Sequence, residues 1–172
     1  DMFGESSEMT IQAPIPVEVS PWTTMEMLSK EKEVVGIYIS GHPLDDYKLE
    51  IQNFCNGNLS FLQNMNKIKG KLLQFAGVVT SVEHKETKTG KPFGVLNVED
   101  YHSSFSFYLF GDDYINFKAY LTDGWLLYLT GRVKKKFYND DLEFKISSIV
   151  LLSELIDKQV RDAVLRVDIS DI

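Results

Sequence analysis

The sequence predicts a mainly β protein: a five-stranded barrel preceded by a small helical segment. Three observations predict it. Apolar residues recur at helical spacing between residues 21 and 54, and the period switches to two from about Leu72. Five alternating runs then follow before residue 153, with a helical pattern between the third and the fourth. Five strands with a helical insert after the third is the order of the OB-fold, and a five-stranded SH3-like barrel would not need the insert. An OB-fold domain is therefore expected over residues 67–153.

Residues 1–20 carry Pro14 and Pro16 without a period and read as a linker. Ser20-Pro21 supplies an N-cap and a first-turn proline, with Thr23 and Glu26 as an alternative capping box. Met25, Leu28, Lys32 and Val35 then share a helical spacing, in a helix expected to end before Gly41-His42-Pro43. Pro43 opens a second helix that sets Leu44, Tyr47, Ile51 and Phe54 on one face, and Asn56-Gly57-Asn58 stops it. Residues 21–66 form this helical connecting segment.

In the first strand Leu73, Phe75, Gly77 and Val79 alternate with Gln74, Ala76, Val78 and Thr80. A loop over 85–91 carries Lys85, Lys88 and Lys91. The second strand, 93–100, puts Phe93, Val95 and Asn97 on one face and Leu96 and Val98 on the other. In the third, 105–110, Phe105 and Phe107 alternate with Ser104 and Ser106 and are assigned to the core; Tyr108 and Phe110 share the serine face. Residues 112–121 suit a helical turn through Tyr114, Phe117 and Leu121. The fourth strand, 126–136, and the fifth, 142–152, flank the polar turn Asn139-Asp140-Asp141. Residues 154–172 read as a tail or the start of a following domain, with an orphan strand pattern over 164–169.

Hydrophobic residues at 44% and aromatics at 12% of 172 residues suffice for a packed core. The longest apolar runs, such as 125–129, are far too short to cross a bilayer, so no membrane partner is expected. Cys55 is alone, which excludes an internal disulfide, and no secretory leader opens the chain; a cytoplasmic location is expected. A first residue Asp1 in place of Met suggests a piece of something longer. The net charge of −7 is uneven: residues 1–57 hold ten acidic and three basic residues, whereas 67–153 hold twelve basic and ten acidic. Any phosphate-facing surface belongs to the middle segment.

Enzyme chemistry finds no signature. The pairs Asp45-Asp46, Asp112-Asp113 and Asp140-Asp141 fall where turns and helix starts are expected, which explains them better than a two-metal site. His42, His84, His102 and Cys55 lack ligand spacing, so neither metal nor cofactor is expected. Gly90-Lys91 is no phosphate loop, because the required first Gly is Lys85.

Binding is better supported. Alternation on the fourth strand sets Leu127, Leu129 and Val133 against Tyr128, Thr130, Arg132, Lys134 and Lys136. A row of cations on one barrel face suits a phosphodiester backbone, and Phe137 and Tyr138 follow in a loop that OB-folds use for ligands. Phe93 and Asn97 suit stacking on a base and reading its edge. The plainer reading of Lys134 to Lys136 is a solvated edge that discourages strand pairing.

The segment EKEVVGIYISGHPLD at 31–45 resembles the "EKE-x-x-G-x-Y-x-SGHPL" signature of the bacterial DNA polymerase III alpha subunit, the C-family replicase. Ala76-Gly77-Val78-Val79, Thr87-Lys88-Thr89-Gly90-Lys91, Val98-Glu99-Asp100, Phe110 and Leu129-Thr130-Gly131 match that family's OB pattern in order. Ser103-Ser104 departs from it, standing where a Gly-containing turn is common. Asp1-Met2-Phe3-Gly4 resembles the end of the family's internal clamp-binding motif, in which Met2 and Phe3 would be adjacent anchors for the sliding clamp. The resemblance implies a non-catalytic fragment of a replicative polymerase. Its OB domain would hold single-stranded template DNA, and its clamp and replisome partners would be reached through the parent protein. It also implies a structural role for the SGHPL bend, with His42 as a hydrogen-bonding bracket. The competing reading is a protein-interaction adaptor within the replisome.

Overall fold

The computed structural model describes residues 20–136 and 141–159. Its first helix, α1 (Thr24–Val35), starts from the capping box: Thr23 Oγ1 accepts from the Glu26 amide at 3.3 Å, and the Glu26 carboxylate accepts from the Thr23 amide at 2.8 Å. Thr23, not Ser20, is therefore the N-cap. The helix also ends sooner than its spacing suggests, at Gly36, whose φ of 86° is left-handed. The reason lies downstream: Ile37 and Ile39 are exposed, and Glu31 draws the chain back by accepting from the Ile39 and Ser40 amides and the Ser40 hydroxyl. Those hydrogen bonds, Ser40's amide first, hold the Glu31 carboxyl below its usual range.

Pro43 does not open the second helix. The chain turns through a 3₁₀ segment, Asp45–Tyr47, into α2 (Lys48–Phe54). Asp45 sets that turn, accepting from the His42 amide at 2.8 Å and from the Tyr101 hydroxyl at 3.0 Å. The His42 amide bond, followed by the Lys48 contact, brings the Asp45 carboxyl down to about 2. His42 is a bracket, as expected: Nδ1 accepts from the Leu44 amide at 3.1 Å, and the ring lies between Tyr38 and Tyr101. Burial lowers its pKa. The expected apolar face forms, with Leu44, Tyr47, Ile51 and Phe54 packed on Ala76, Tyr128 and Val150.

The strands are β1 (Leu72–Glu86), β2 (Pro92–Glu99), β3 (Ser104–Phe110), β4 (Leu126–Lys135) and β5 (Leu142–Leu151). The helix α3 (Asp112–Phe117) lies between β3 and β4, and α4 (Leu155–Gln159) follows β5. All neighbours are antiparallel, in the order β3-β2-β1-β4-β5, the five-stranded sheet of an OB-fold domain. The long β1 serves two partners. Its first half, from Leu72 to Val78, pairs with β4, and its second half, from Val78 to Glu86, pairs with β2. A register shift between Val79 and Ser81 bends the strand where it changes partner. The two halves wrap a core of Phe75, Leu96, Val98, Phe107, Leu127 and Leu129, and a 3₁₀ segment, Leu59–Ile68, adds Leu59, Leu62 and Ile68 to it. Among the described residues no helix is long and apolar enough to cross a membrane.

Gly77 sits at the change of partner. A Cβ there would lie 2.3 Å from Val98 Cγ1 and 2.9 Å from the Glu99 carbonyl oxygen. Gly77→Ala is expected to cost about 1–3 kcal/mol, because β2 must move away. Urea unfolding checks this; an unchanged midpoint would mean that the close approach does not constrain the fold.

The β2–β3 turn is built on a carboxylate. Asp100, 6% exposed, accepts from the His102 amide at 2.8 Å, the Ser103 amide at 2.9 Å and the Leu59 amide at 2.5 Å. This turn therefore needs no glycine, which accounts for Ser103-Ser104.

Candidate nucleic-acid interface

The outer face of β1, β2 and β3 is a small grid whose rows follow from register. Ser81, Asn97 and Ser106 form one row, Glu83, Val95 and Tyr108 the next, and Lys85, Phe93 and Phe110 the last. Strands about 4.8 Å apart bring such neighbours into side-chain contact. Phe93 stacks on Phe110 with ring centroids 4.8 Å apart, and Tyr108 lies parallel to Phe110 at 6.5 Å. Tyr108 is 60% exposed and Phe110 50%, although both are large rings on a rigid sheet. Exposed aromatics in a ladder offer flat faces to a third ring at little conformational cost.

Asn97 is engaged across all three strands: Nδ2 donates to Ser81 Oγ at 2.8 Å, and Oδ1 accepts from the Ser106 hydroxyl. One N–H and one lone pair of its amide remain for another partner. Lys85 is not in the loop as expected, because β1 runs on through Glu86. It stands beside Phe93 and pairs with Glu83, which raises its pKa. Lys88 and Lys91 occupy the β1–β2 turn, which closes through Thr87 N to Lys91 O at 2.9 Å and a left-handed Gly90. Both are exposed.

On β4, Leu127, Leu129 and Val133 point into the core as expected. Tyr128 does not join the cationic row. It is 2% exposed under α2, and its hydroxyl donates to the Phe54 carbonyl at 3.0 Å. Arg132 is exposed but gives Nη1 to the Gly70 carbonyl at 2.8 Å, and Lys134 and Lys136 are exposed. β1 pairs with β4 only as far as Arg132, so Lys134 pairs with Glu143 of β5 on a stretch of β4 that runs past the end of β1, consistent with a solvated edge.

Tyr108 and Phe110 also line a cleft between β3 and β5, together with Phe107, Lys136, Glu143 and Phe144; it holds two adjoining cavities of ≈ 410 and ≈ 450 Å³. The structure thus gathers Lys85, Phe93, Asn97 and Lys136 around Tyr108 and Phe110. Arg132 and Lys134 lie beyond β5, where their register partners are Lys145 and Glu143. Phe137, Tyr138, Met2 and Phe3 lie outside the described residues, as do residues 164–169. A recess of ≈ 630 Å³ lies elsewhere, between α1 and the barrel near Met25, Tyr38 and Trp125.

Tyr108 and Phe110 were not among the residues singled out from sequence. Their signal was present: two aromatics sat on the serine face of β3, the face that alternation turns to solvent. Among the described residues no group of three or more His, Cys, Asp or Glu side chains is placed to hold a metal. Burial pushes the Cys55 thiol up to about 11, which keeps it protonated at neutral pH.

Residues 73–152 match the family described as OB-fold nucleic acid binding domain (tRNA anti-codon). The chain is 31% identical over 159 residues to DNA polymerase III subunit alpha of Treponema pallidum, covering 92% of this chain and 13% of that one. It is 30% identical over 140 residues to the Borreliella burgdorferi subunit, covering 80% of this chain and 12% of that one. Against the Escherichia coli K12 subunit it is 27% identical over 167 residues, 94% of this chain and 14% of that one. It therefore spans only about an eighth of the length of the relatives it matches.

Proposed function

Because this chain carries an OB-fold nucleic-acid-binding domain and is homologous to DNA polymerase III subunit alpha over most of its length, we propose that it is a non-catalytic portion of a bacterial replicative polymerase that holds single-stranded template DNA. The observation that carries this reading is the aromatic ladder of Phe93, Phe110 and Tyr108, the last two exposed, with Lys85 and Lys136 beside it. Bases stack on the rings, while Lys85, Lys88, Lys91 and Lys136 meet phosphates, and Arg132 and Lys134 extend the charge across β4. Asn97 offers its remaining donor and acceptor to a base edge. Phe137 and Tyr138 add stacking from the β4–β5 loop. Sequence preference is weak, because stacking accepts any base.

Met2 and Phe3 are the remnant of a peptide that docks in the sliding clamp, and the other replisome partners belong to the parent protein. The protein works in the cytoplasm.

Fluorescence anisotropy of a labelled single-stranded oligonucleotide across a salt series tests this. Neutralising five or six phosphates gives a slope of log affinity against log salt of roughly −4, at about −0.7 per phosphate. A flat salt response, or no association at low salt, would favour the protein adaptor instead.

A further inference from the structure

Five cations gather at one end of the barrel: Lys67, Lys69 and Lys71 ahead of β1, and Arg132 and Lys134 on β4. All are exposed, and among the described residues none of them is ion-paired, whereas Lys30, Lys32, Lys48, Lys85, Lys145 and Lys158 each have a carboxylate. The turn that carries the three lysines is rigidly presented. Ile68 is anchored in the core, the Lys71 amide donates to the Ile68 carbonyl at 3.1 Å, and Gly70 is left-handed. β4 holds the turn from the other side: the Gly70 amide donates to the Val133 carbonyl at 3.2 Å, Arg132 donates to the Gly70 carbonyl, and Lys69 bridges to Val133. Edge protection bears on Lys134, which lies past the end of the β1–β4 pairing, but not on Lys67, Lys69 and Lys71, which precede β1. Five cations gathered here with one facing carboxylate, Glu143 opposite Lys134, in a chain of net charge −7, repel one another unless an anion meets them.

This cluster is continuous with the aromatic site. Lys145 and Glu143 are the register partners of Arg132 and Lys134, and both also line the cleft beside Tyr108 and Phe110. A strand leaving the aromatic ladder crosses β5, then β4, and arrives at the Lys67–Lys71 turn. Three strand spacings make that path at least about 15 Å, room for roughly four phosphates. The cluster itself contains no aromatic ring, so its chemistry is that of a sugar–phosphate backbone.

We infer that Lys67, Lys69 and Lys71, with Arg132 and Lys134, form a phosphate-binding extension for the same single strand whose bases stack at Tyr108 and Phe110. The inference rests on the nucleic-acid reading above and adds a second segment to the track. It predicts that occupancy depends on oligonucleotide length: a short strand fills the aromatic site, and a longer one gains the lysine turn.

The test compares the full chain with its Lys67→Ala/Lys69→Ala/Lys71→Ala variant, by anisotropy with oligothymidylates of about 8 and about 16 nucleotides. The Lys30→Ala/Lys48→Ala/Lys158→Ala variant controls for the equal loss of charge on other faces. The expected result is that the turn variant loses affinity for the longer strand, with a salt slope shallower by about 2. Its affinity for the shorter strand, and both affinities of the control, stay near those of the unaltered chain. If the turn variant binds the longer strand with an unchanged slope, or if the control loses as much, the extension is wrong and the aromatic site stands alone. If the unaltered chain binds neither strand at low salt, the nucleic-acid reading itself fails and takes the extension with it.

Discussion

A chain carrying Tyr108→Ala and Phe110→Ala is expected to bind single-stranded DNA about 2–4 kcal/mol more weakly, a loss of roughly 30- to 1,000-fold. Each ring is asked to supply one base stack, worth about 1–3 kcal/mol. The two rings lie parallel and in reach of each other, so their losses need not add. Half or more of each residue faces solvent, but Phe110 stacks on Phe93, so folding stability should fall by about 1–2 kcal/mol, too little to unfold the domain. The salt slope should also stay as it was, because no cation is removed. That combination of weaker binding, an unchanged slope and a retained fold is the signature of stacking. Tyr108→Phe, which keeps the ring, should retain most of the affinity. Full affinity in the double alanine variant would show that these rings do not stack on DNA, however exposed they are.

Asp100→Ala is expected to destabilise the fold by about 3–4 kcal/mol, a large share of what holds a domain of this size together. One carboxylate satisfies three backbone amides, on His102, Ser103 and Leu59, and so ties the β2–β3 turn to the 3₁₀ segment that closes the barrel end. Without it the buried Leu59 amide is left with no acceptor where water reaches poorly, and the part-buried His102 and Ser103 amides lose a charged one. Asp100→Asn keeps one acceptor oxygen but turns an N–H toward a donor, so about half the loss is expected. Urea unfolding followed by circular dichroism measures both. An alanine variant as stable as the unaltered chain would mean that other groups, or water, already satisfy those amides.

Much of the fold was legible because local chemistry and tertiary packing agree. The period of two from Leu72, the helical insert through Tyr114 and the apolar face of Leu44, Tyr47, Ile51 and Phe54 each describe one surface that must be buried. Burial leaves that mark on a sequence directly. Element ends were less legible. The first helix stops at Gly36 because Glu31 captures the Ile39 and Ser40 amides, a contact made eight and nine residues along the chain. Lys85 was placed in a loop because its neighbours are polar, yet β1 continues past it: the strand is held there by pairing with β2, and its outer face needs no apolar residue.

The candidate site divides the same way. Sequence by itself determined which residues could serve: the cations of the middle segment, the aromatics, and the alternation that separates core from surface. Alternation assigns a face without saying what lies over it. Only the tertiary structure decided that Tyr128 is roofed by α2 while Tyr108 and Phe110, on an equally alternating strand, are left open. Only it decided that Arg132 reaches the Gly70 carbonyl, some sixty residues away, in the turn that carries Lys67, Lys69 and Lys71. The physical reason is that a strand's own period is local, whereas what covers a sheet face, and which charges gather at a barrel end, depends on segments brought together only when the barrel closes.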